Sequence, residues 1–94
     1  MQIQLSSRAE EELINILIDS REKFGAKVAK ATDVKIRMAI RQLRVYPQLG
    51  KLDDEAGDGT RILVIGSFRI VYSIVADVIH ISRVVSPRQD SSRR

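Results

Sequence analysis

Three arginines in the C-terminal half of the chain, Arg61, Arg69 and Arg83, have the side chains best suited to chemistry. Arg69 lies between Phe68 and Ile70, and a charge in such an apolar stretch needs an explanation. A guanidinium group is planar and donates two parallel hydrogen bonds, which suits the capture of a phosphate or a carboxylate. Together on one concave face, the three could bind an RNA backbone. They could equally keep a sheet face that no helix covers hydrated, because an arginine covers apolar surface with its stem and holds its charge in water.

Cleavage of a phosphodiester would require a proton acceptor and a proton donor in addition to these cations. The single histidine, His80, is flanked by isoleucines in a predicted strand, and we interpret it as structural. Tyr72 lies in a strongly apolar segment and is predicted to be in the core, while Tyr46 is predicted to pack beside Pro47. We therefore predict no catalytic residue. That prediction requires that no histidine, tyrosine or carboxylate lies within bonding reach of the arginines.

The chain has 94 residues, of which 44% are hydrophobic, and this suits one globular domain, residues 1–94, with a single core. It contains no cysteine, which excludes disulfides, a thiolate nucleophile and zinc bound by cysteine. The acidic residues lack a convincing metal-ligand spacing and no glycine-rich phosphate loop is present, so we expect no metal and no other cofactor. No apolar run approaches the roughly 20 residues that span a membrane. We expect a cytoplasmic protein with no membrane partner.

The net charge is +4, and its distribution is uneven. Acidic residues gather in "KLDDEAGDG", whereas basic residues gather between positions 27 and 44 and at the C-terminus. A basic helix could bind nucleic acid or an acidic protein partner, and it could also be a solvated face without a partner.

Two helices are predicted in the first half of the chain. Ser7 and Glu10 have the spacing of a capping box at the start of a helix over residues 8–24, and Gly25 ends it. A second helix is predicted from about residue 26 to residue 46, where Pro47 ends it. The one-glycine link predicts an antiparallel hairpin. The predicted buried stripe of the second helix consists of Val28, Thr32, Ile36, Ala39, Ile40 and Leu43.

A short strand is predicted at residues 3–5, and three more at 61–65, 68–76 and 78–86, after a loop over residues 47–60. Gly66 suits the first position of a type II′ turn that joins the strands at 61–65 and 68–76. Strand alternation places Arg69 and Arg83 on the face that the helices leave uncovered. The order β-α-α-β-β-β predicts an α+β fold, with an antiparallel curled sheet packed on the N-terminal helix hairpin and a flexible tail at 88–94.

Four stretches, taken in order, carry a family resemblance: "LSSRAEEELINILIDSREKFG", "LRVYPQLGK", "GSFRIVYSI" and "RVVSPRQD". Over about residues 3–90 the chain resembles the RelE/ParE superfamily of bacterial type II toxins. RelE-like members cleave mRNA in the ribosome and carry a catalytic Tyr, His or Glu near the C-terminus, whereas ParE-like members lack that set and poison DNA gyrase. No Tyr, His or Glu follows Arg83, so the chain resembles the ParE-like branch, although Ser86 stands where many ParE-like chains have a histidine.

The resemblance implies a toxin that traps a cleaved DNA–gyrase intermediate and performs no chemistry itself. It also implies a cognate antitoxin as a partner, with contact to operator DNA only through that antitoxin. A RelE-like ribosome-dependent mRNA endoribonuclease is the alternative, and a harmless member that binds only its antitoxin or DNA is a third.

Two sets of residues are candidates for the binding surfaces. The target-binding candidates are Arg61, Arg69, Arg83 and Arg88. The antitoxin-binding candidates are Ile14 and Ile18, which widen the apolar arc of the first helix, and Arg37, Arg41 and Arg44 on the basic helix. That basic helix is equally open as a target-binding surface, and Ile14 and Ile18 could instead be covered by the first strand or by the tail.

Overall fold

The computed structural model describes residues 1–87, and the predicted tail at 88–94 lies outside them. In chain order the elements are β1 (Gln2–Leu5), α1 (Ser7–Phe24), α2 (Ala26–Val45), β2 (Lys51–Leu52), a 3₁₀ turn (Asp54–Ala56), β3 (Thr60–Ile65), β4 (Phe68–Val75) and β5 (Val78–Val85). The strands form one sheet in the order β1-β5-β4-β3-β2. Within the described range, no helix is both long enough and apolar enough to cross a membrane.

The predicted α+β fold, a helix hairpin against a sheet, is confirmed. The sheet is mixed, because β1 pairs with β5 in parallel while the other ladders are antiparallel. A parallel pair needs a long connection between its strands, and here the helix hairpin and β2–β4 provide it. The predicted loop at 47–60 also holds the short strand β2, whose pairing with β3 extends the sheet at the far edge.

Helix α1 is capped one residue earlier than the sequence predicts. The hydroxyl of Ser6, and not that of Ser7, accepts a hydrogen bond from the backbone N–H of Ala9 at 3.0 Å. The N–H of Ser6 donates to the carbonyl of Ile81 at 2.9 Å, so the parallel ladder continues through Ser6 and keeps it extended. An extended residue directly before the first turn is the position that caps a helix, and for this reason the capping box at Ser7 is wrong.

The core lies between the helix hairpin and the central strands. Its buried hydrophobic residues are Ala9, Leu13, Ile16, Ile36, Ala39, Leu43, Ile70, Tyr72, Ile79, Ile81 and Val84. The core position predicted for Tyr72 is therefore confirmed. Val28 is exposed, contrary to the predicted stripe. At 3.6 residues per turn it lies only about 20° round the helix from buried Ala39, so its exposure comes from its place in the first turn of α2, roughly 12 Å along the axis before Ile36, where the buried residues of the helix begin.

A bulge in β5 changes which side chains face the core. Val71 pairs with Arg83 and Tyr72 pairs with Ile81, so Ser82 has no opposite residue. Successive side chains of a strand point to opposite faces of the sheet, and one extra residue shifts this alternation by one for the residues that follow it. Val84 therefore lies in the same core as Ile81, although simple alternation predicts that they lie on opposite faces.

Candidate functional site

Glu12 on α1 completes the edge of β5 beyond the point where β1 ends. Its Oε1 accepts a hydrogen bond from the backbone N–H of Val84 at 2.9 Å, a group that would otherwise face an open sheet edge. Its Oε2 accepts from Nε and Nη2 of Arg83 at 3.1 and 2.6 Å, and Arg8 lies 3.6 Å from the same oxygen. Glu12 is only 6% exposed. The guanidinium of Arg83 is thus held by a buried carboxylate that joins α1 to β5.

Arg61 makes a similar structural contact at the opposite side of the sheet. Its Nη1 donates to the carbonyl oxygen of Gly50 at 2.7 Å and to that of Gln48 at 3.4 Å. The hydroxyl of Tyr72 accepts from the N–H of Gly50 at 2.7 Å and donates to the carbonyl of Pro47 at 2.8 Å. A Cβ at position 50 would lie 2.7 Å from the Tyr72 ring, so a glycine is required there. These bonds fix the loop that leaves α2.

The three strand arginines do not share one face. Arg61 pairs with Tyr72 and lies on the core side, whereas Arg69 pairs with Val64 on the other side. Their predicted assembly on one concave surface is therefore wrong. It failed because Val64, the partner of Arg69, lies three residues from Arg61 on β3, and residues an odd number apart on a strand point to opposite faces. The fourth candidate, Arg88, lies outside the described residues.

His80 lies on the side of the sheet that carries Arg69, because it pairs with Ser73. Four residues of strand separate Ser73 from Arg69, a distance of roughly 13 Å. The requirement that no carboxylate lies within bonding reach of the strand arginines is not met, because Glu12 contacts Arg83. Its Oε2 accepts hydrogen bonds from Arg83, and its Oε1 accepts one from the backbone N–H of Val84. A buried carboxylate whose oxygens are occupied in this way is poorly placed to accept a proton from a substrate. The prediction of a non-catalytic chain stays a prediction.

Helix α2 provides a different kind of surface, which we call the basic groove. This open cavity of about 280 Å³ lies between β1, α1 and α2. Its lining residues are Ile3, Leu5, Leu13, Arg37, Ile40, Arg41 and Arg44. The structure thus brings the three predicted arginines of α2 together, on the rim of an apolar floor. The contribution of β1 to that floor was missed, because the sequence does not show which strand β1 pairs with.

The charges around the basic groove are strongly unbalanced. Helix α2 carries six basic residues and one acidic residue, Asp33. Arg37 donates to Asp33 at 2.6 Å, and Arg44 reaches the carbonyl of Met1 at 3.4 Å. Ile14 and Ile18 of α1 are 56% and 52% exposed, so within residues 1–87 neither β1 nor another segment covers them. A partner with acidic and apolar side chains would complement this surface.

A second exposed apolar surface, at the end of α2, was missed by sequence reasoning. Val45 and Tyr46 are 68% and 64% exposed, and Leu49 is also exposed. Whatever contact Tyr46 makes with Pro47 leaves most of its ring in solvent. The signal that could have found it is the run "VYPQLG", which contains three large apolar side chains and no charged residue.

Over the described part of the chain, no three His, Asp or Glu side chains are grouped to hold a metal.

Residues 3–91 match the model of the family described as the ParE toxin of the type II toxin–antitoxin system parDE. A chain of the chromosomal ParDE system from P. aeruginosa has a similar fold, with a TM-score of 0.80, 18% sequence identity, and coverage of 92% of this chain and 95% of that chain. A chain of the RelBE2 toxin–antitoxin complex from Mycobacterium tuberculosis gives a TM-score of 0.61 at 22% identity, covering 90% and 95%. No curated protein sequence matches.

Proposed function

This chain belongs to the ParE family of type II toxins, and on that premise we propose that it poisons DNA gyrase by stabilising the cleaved DNA–enzyme intermediate. The observation that carries the proposal is the engagement of the strand arginines. Arg83 is held by Glu12, and Arg61 is held by backbone carbonyl groups of the loop after α2. Guanidinium groups engaged in this way hold the fold together and are not assembled around a scissile phosphate.

The family also pairs its toxins with antitoxins, and the basic groove is the surface that best suits such a partner. Three arginines surround an apolar floor there, which favours a segment that carries acidic and apolar side chains at alternating contacts. Ile14 and Ile18, exposed on α1, offer further apolar area to such a partner. The cognate antitoxin would bind here through an amphipathic segment, and contact with operator DNA would be made by the antitoxin.

The decisive experiment incubates the purified toxin with DNA gyrase and supercoiled plasmid, traps protein-linked breaks with detergent and protease, and measures linear DNA. We expect linear DNA to accumulate with toxin concentration and to disappear when the cognate antitoxin is added in excess. The same preparations are added to a ribosome translation assay in which cut mRNA is mapped.

Two results would contradict the proposal. Absence of linear DNA at any toxin concentration would remove gyrase as the target. Codon-specific mRNA cleavage that is lost in His80→Ala would instead identify the RelE-like alternative, because His80 is the single histidine available as an acid or a base. A chain with neither activity would be the harmless member of the family.

A further inference from the structure

The turn that leads into β3 spans residues 57–60 and contains the dipeptide Asp58-Gly59, and we call it the Asp58 turn. The N–H of Thr60 donates to the carbonyl oxygen of Gly57 at 3.0 Å and closes the turn. Gly59 has a φ of 72°, whereas the φ of Asp58 is negative. A positive φ at the third position alone is typical of a type II turn, in which glycine is favoured at that position.

The carboxylate of Asp58 and the peptide group that follows it are not held by other groups. Both Asp58 and Gly59 are exposed. Within residues 1–87, neither the Asp58 carboxylate nor the Gly59 N–H has a hydrogen-bond partner. Glycine accepts either sign of φ, so the peptide between the two residues can turn over between the type II and type I forms while the bond from Thr60 to Gly57 stays. The Gly59 nitrogen can therefore approach the Asp58 side chain without loss of a hydrogen bond.

We propose that Asp58 is a site of spontaneous backbone modification, at which this chain converts aspartate to isoaspartate. The nitrogen of Gly59 attacks Cγ of the protonated Asp58 carboxyl group and forms a C–N bond, and the N–H proton and the carboxyl hydroxyl leave as water. The five-membered succinimide ring then takes up one water. Opening at the former side-chain carbonyl restores aspartate, and opening at the main-chain carbonyl gives isoaspartate, in which the chain runs through the side chain.

The other described aspartates lack this freedom, and Asp77 is the closest match. It is exposed and lies in the turn between β4 and β5. Its carbonyl oxygen accepts a hydrogen bond from the N–H of Gln2 at 3.2 Å, so the peptide that joins it to Val78 is fixed. Val78 also carries a branched side chain, which hinders attack by its nitrogen. The remaining four are held by helix hydrogen bonds or by contacts of the Glu55 N–H: Asp19, Asp33, Asp53 and Asp54.

Isoaspartate would lengthen the main chain by one carbon atom inside the Asp58 turn, next to the bonds that hold this edge of the sheet. The carbonyl of Thr60 accepts from the N–H of Asp53 at 2.8 Å, where β2 begins to pair with β3. The next residue, Arg61, holds the loop after α2 through the carbonyl of Gly50. We expect the longer turn to weaken the pairing of β2 with β3 first.

The test ages the purified full-length chain in water enriched in heavy oxygen and then digests it in ordinary water. Each opening of the ring builds one solvent oxygen into the residue, so peptide mass spectrometry counts the passages through the succinimide. We expect label at Asp58 to accumulate about tenfold faster than at Asp77, because turning of the peptide before Val78 must break one hydrogen bond. A methyltransferase specific for isoaspartate identifies the product at Asp58.

Two variants serve as controls, and circular dichroism checks that both are folded. Asp58→Glu keeps the charge but would have to close a six-membered ring, and it should stay unlabelled over the same period. Asp58→Asn should form the same ring faster than the wild type, because ammonia leaves the amide more readily than water leaves the carboxyl group. Deuterium exchange of the Asp53 and Thr60 amides should become faster in the aged wild type and stay unchanged in aged Asp58→Glu.

The results that would overturn the inference are distinct from those that test the proposed function. Absence of label at Asp58 after Asp58→Asn has converted would overturn it, and so would a turn in which Asp58→Asn does not convert. Equal labelling of Asp58 and Asp77 would show that the geometry of the Asp58 turn selects nothing. Label without isoaspartate would show that the ring opens only to aspartate, and unchanged amide exchange would remove the effect on the sheet edge. None of these measurements involves gyrase or an antitoxin.

Discussion

The arginines of the strands and the arginines of α2 differ in what their guanidinium groups contact. Arg61 and Arg83 donate at 2.6 to 2.7 Å to a backbone carbonyl and to a buried carboxylate of the same protein. Arg41 and Arg44 lie on the rim of the basic groove with their side chains exposed, and the contact of Arg44 with the first residue is long, at 3.4 Å. One pair holds elements together, and the other pair faces the solvent.

This difference shows that the type of a residue says less about its role than the backbone groups around it. The guanidinium of Arg61 reaches the carbonyl groups of the loop after α2, and Arg83 binds the Glu12 carboxylate that completes the strand edge left by the end of β1. Such places need donors and acceptors from side chains, because unpaired buried backbone groups are costly. The exposed side of α2 has no such need, so a charge there remains available for a partner. For this reason α2 is the surface that we propose for binding an acidic protein.

The largest effect on stability is expected from removing Glu12, because this carboxylate holds Arg83, one of the two strand arginines with a structural contact. In Glu12→Ala the N–H of Val84 and the partly buried guanidinium of Arg83 both lose their acceptor. We expect the free energy of unfolding to fall by about 3 kcal/mol, in the range found for one broken partner of a buried pair. Urea denaturation followed by circular dichroism measures the loss.

Two variants serve as controls for Glu12. Glu11→Ala removes an exposed carboxylate one residue away and should change stability by less than about 0.5 kcal/mol. Glu12→Gln keeps an acceptor for Val84 and should lose less than Glu12→Ala. A loss in Glu12→Ala no larger than that of Glu11→Ala would show that Arg83 is not held by this contact, and would return it to the candidates for target binding.

A smaller loss is expected when Arg61 is replaced by Met, which keeps an unbranched stem but removes the donor. The carbonyl oxygen of Gly50 would lose its 2.7 Å hydrogen bond, while Tyr72 still holds the N–H of the same residue. We expect a decrease of about 1 to 2 kcal/mol in the free energy of unfolding, the cost of one unpaired buried acceptor. Lys51→Met, which replaces an exposed neighbour, should have almost no effect. Equal stability of the two variants would contradict a structural role for Arg61.

The sequence predicted the helices and the α+β order because apolar periodicity, Gly25 and Pro47 are local signals. It could not predict the bulge at Ser82, since an extra residue is visible only against the partner strand. The bulge sets Arg83 opposite Val71, on the face of Arg69 as predicted, whereas the separation of Arg61 from them depends on how β3 pairs with β4. Fold class could therefore be predicted from the sequence, but the surroundings of individual strand side chains could not.

Glu12 is an instructive case of a site residue that was missed. It stands in a run of three glutamates at the start of a helix, where acidic residues are ordinarily solvated. Its spacing from Ala9 and Ile16, three and four residues, places it on the buried side of α1 and could have singled it out. The partner of a buried carboxylate, however, comes from 71 residues further along the chain, and no local pattern shows it. The arginines of α2 were easier to group, because helical spacing alone brings them together.

The smallest effect on stability is expected when the arginines of α2 are replaced. This variant is the most direct test of the difference between arginines that hold the fold and arginines that face a partner. In the double variant Arg41→Gln, Arg44→Gln, the free energy of unfolding should stay within about 0.5 kcal/mol of the wild type, because both side chains are exposed. The affinity for the cognate antitoxin should nevertheless fall about tenfold at low salt, and its dependence on salt should become weaker, since two charges next to the apolar floor are lost.

The matched control for this variant is Lys27→Gln, Lys30→Gln, which removes the same charge from the same helix but outside the lining of the basic groove. If both double variants weaken the antitoxin complex equally, the net charge of α2 and not the groove attracts the partner. If instead Arg41→Gln, Arg44→Gln unfolds at clearly lower urea concentration, these arginines also hold the fold. The contrast with Arg61 and Arg83 would then disappear, because the arginines on the strands and those on the helix would all stabilise the fold.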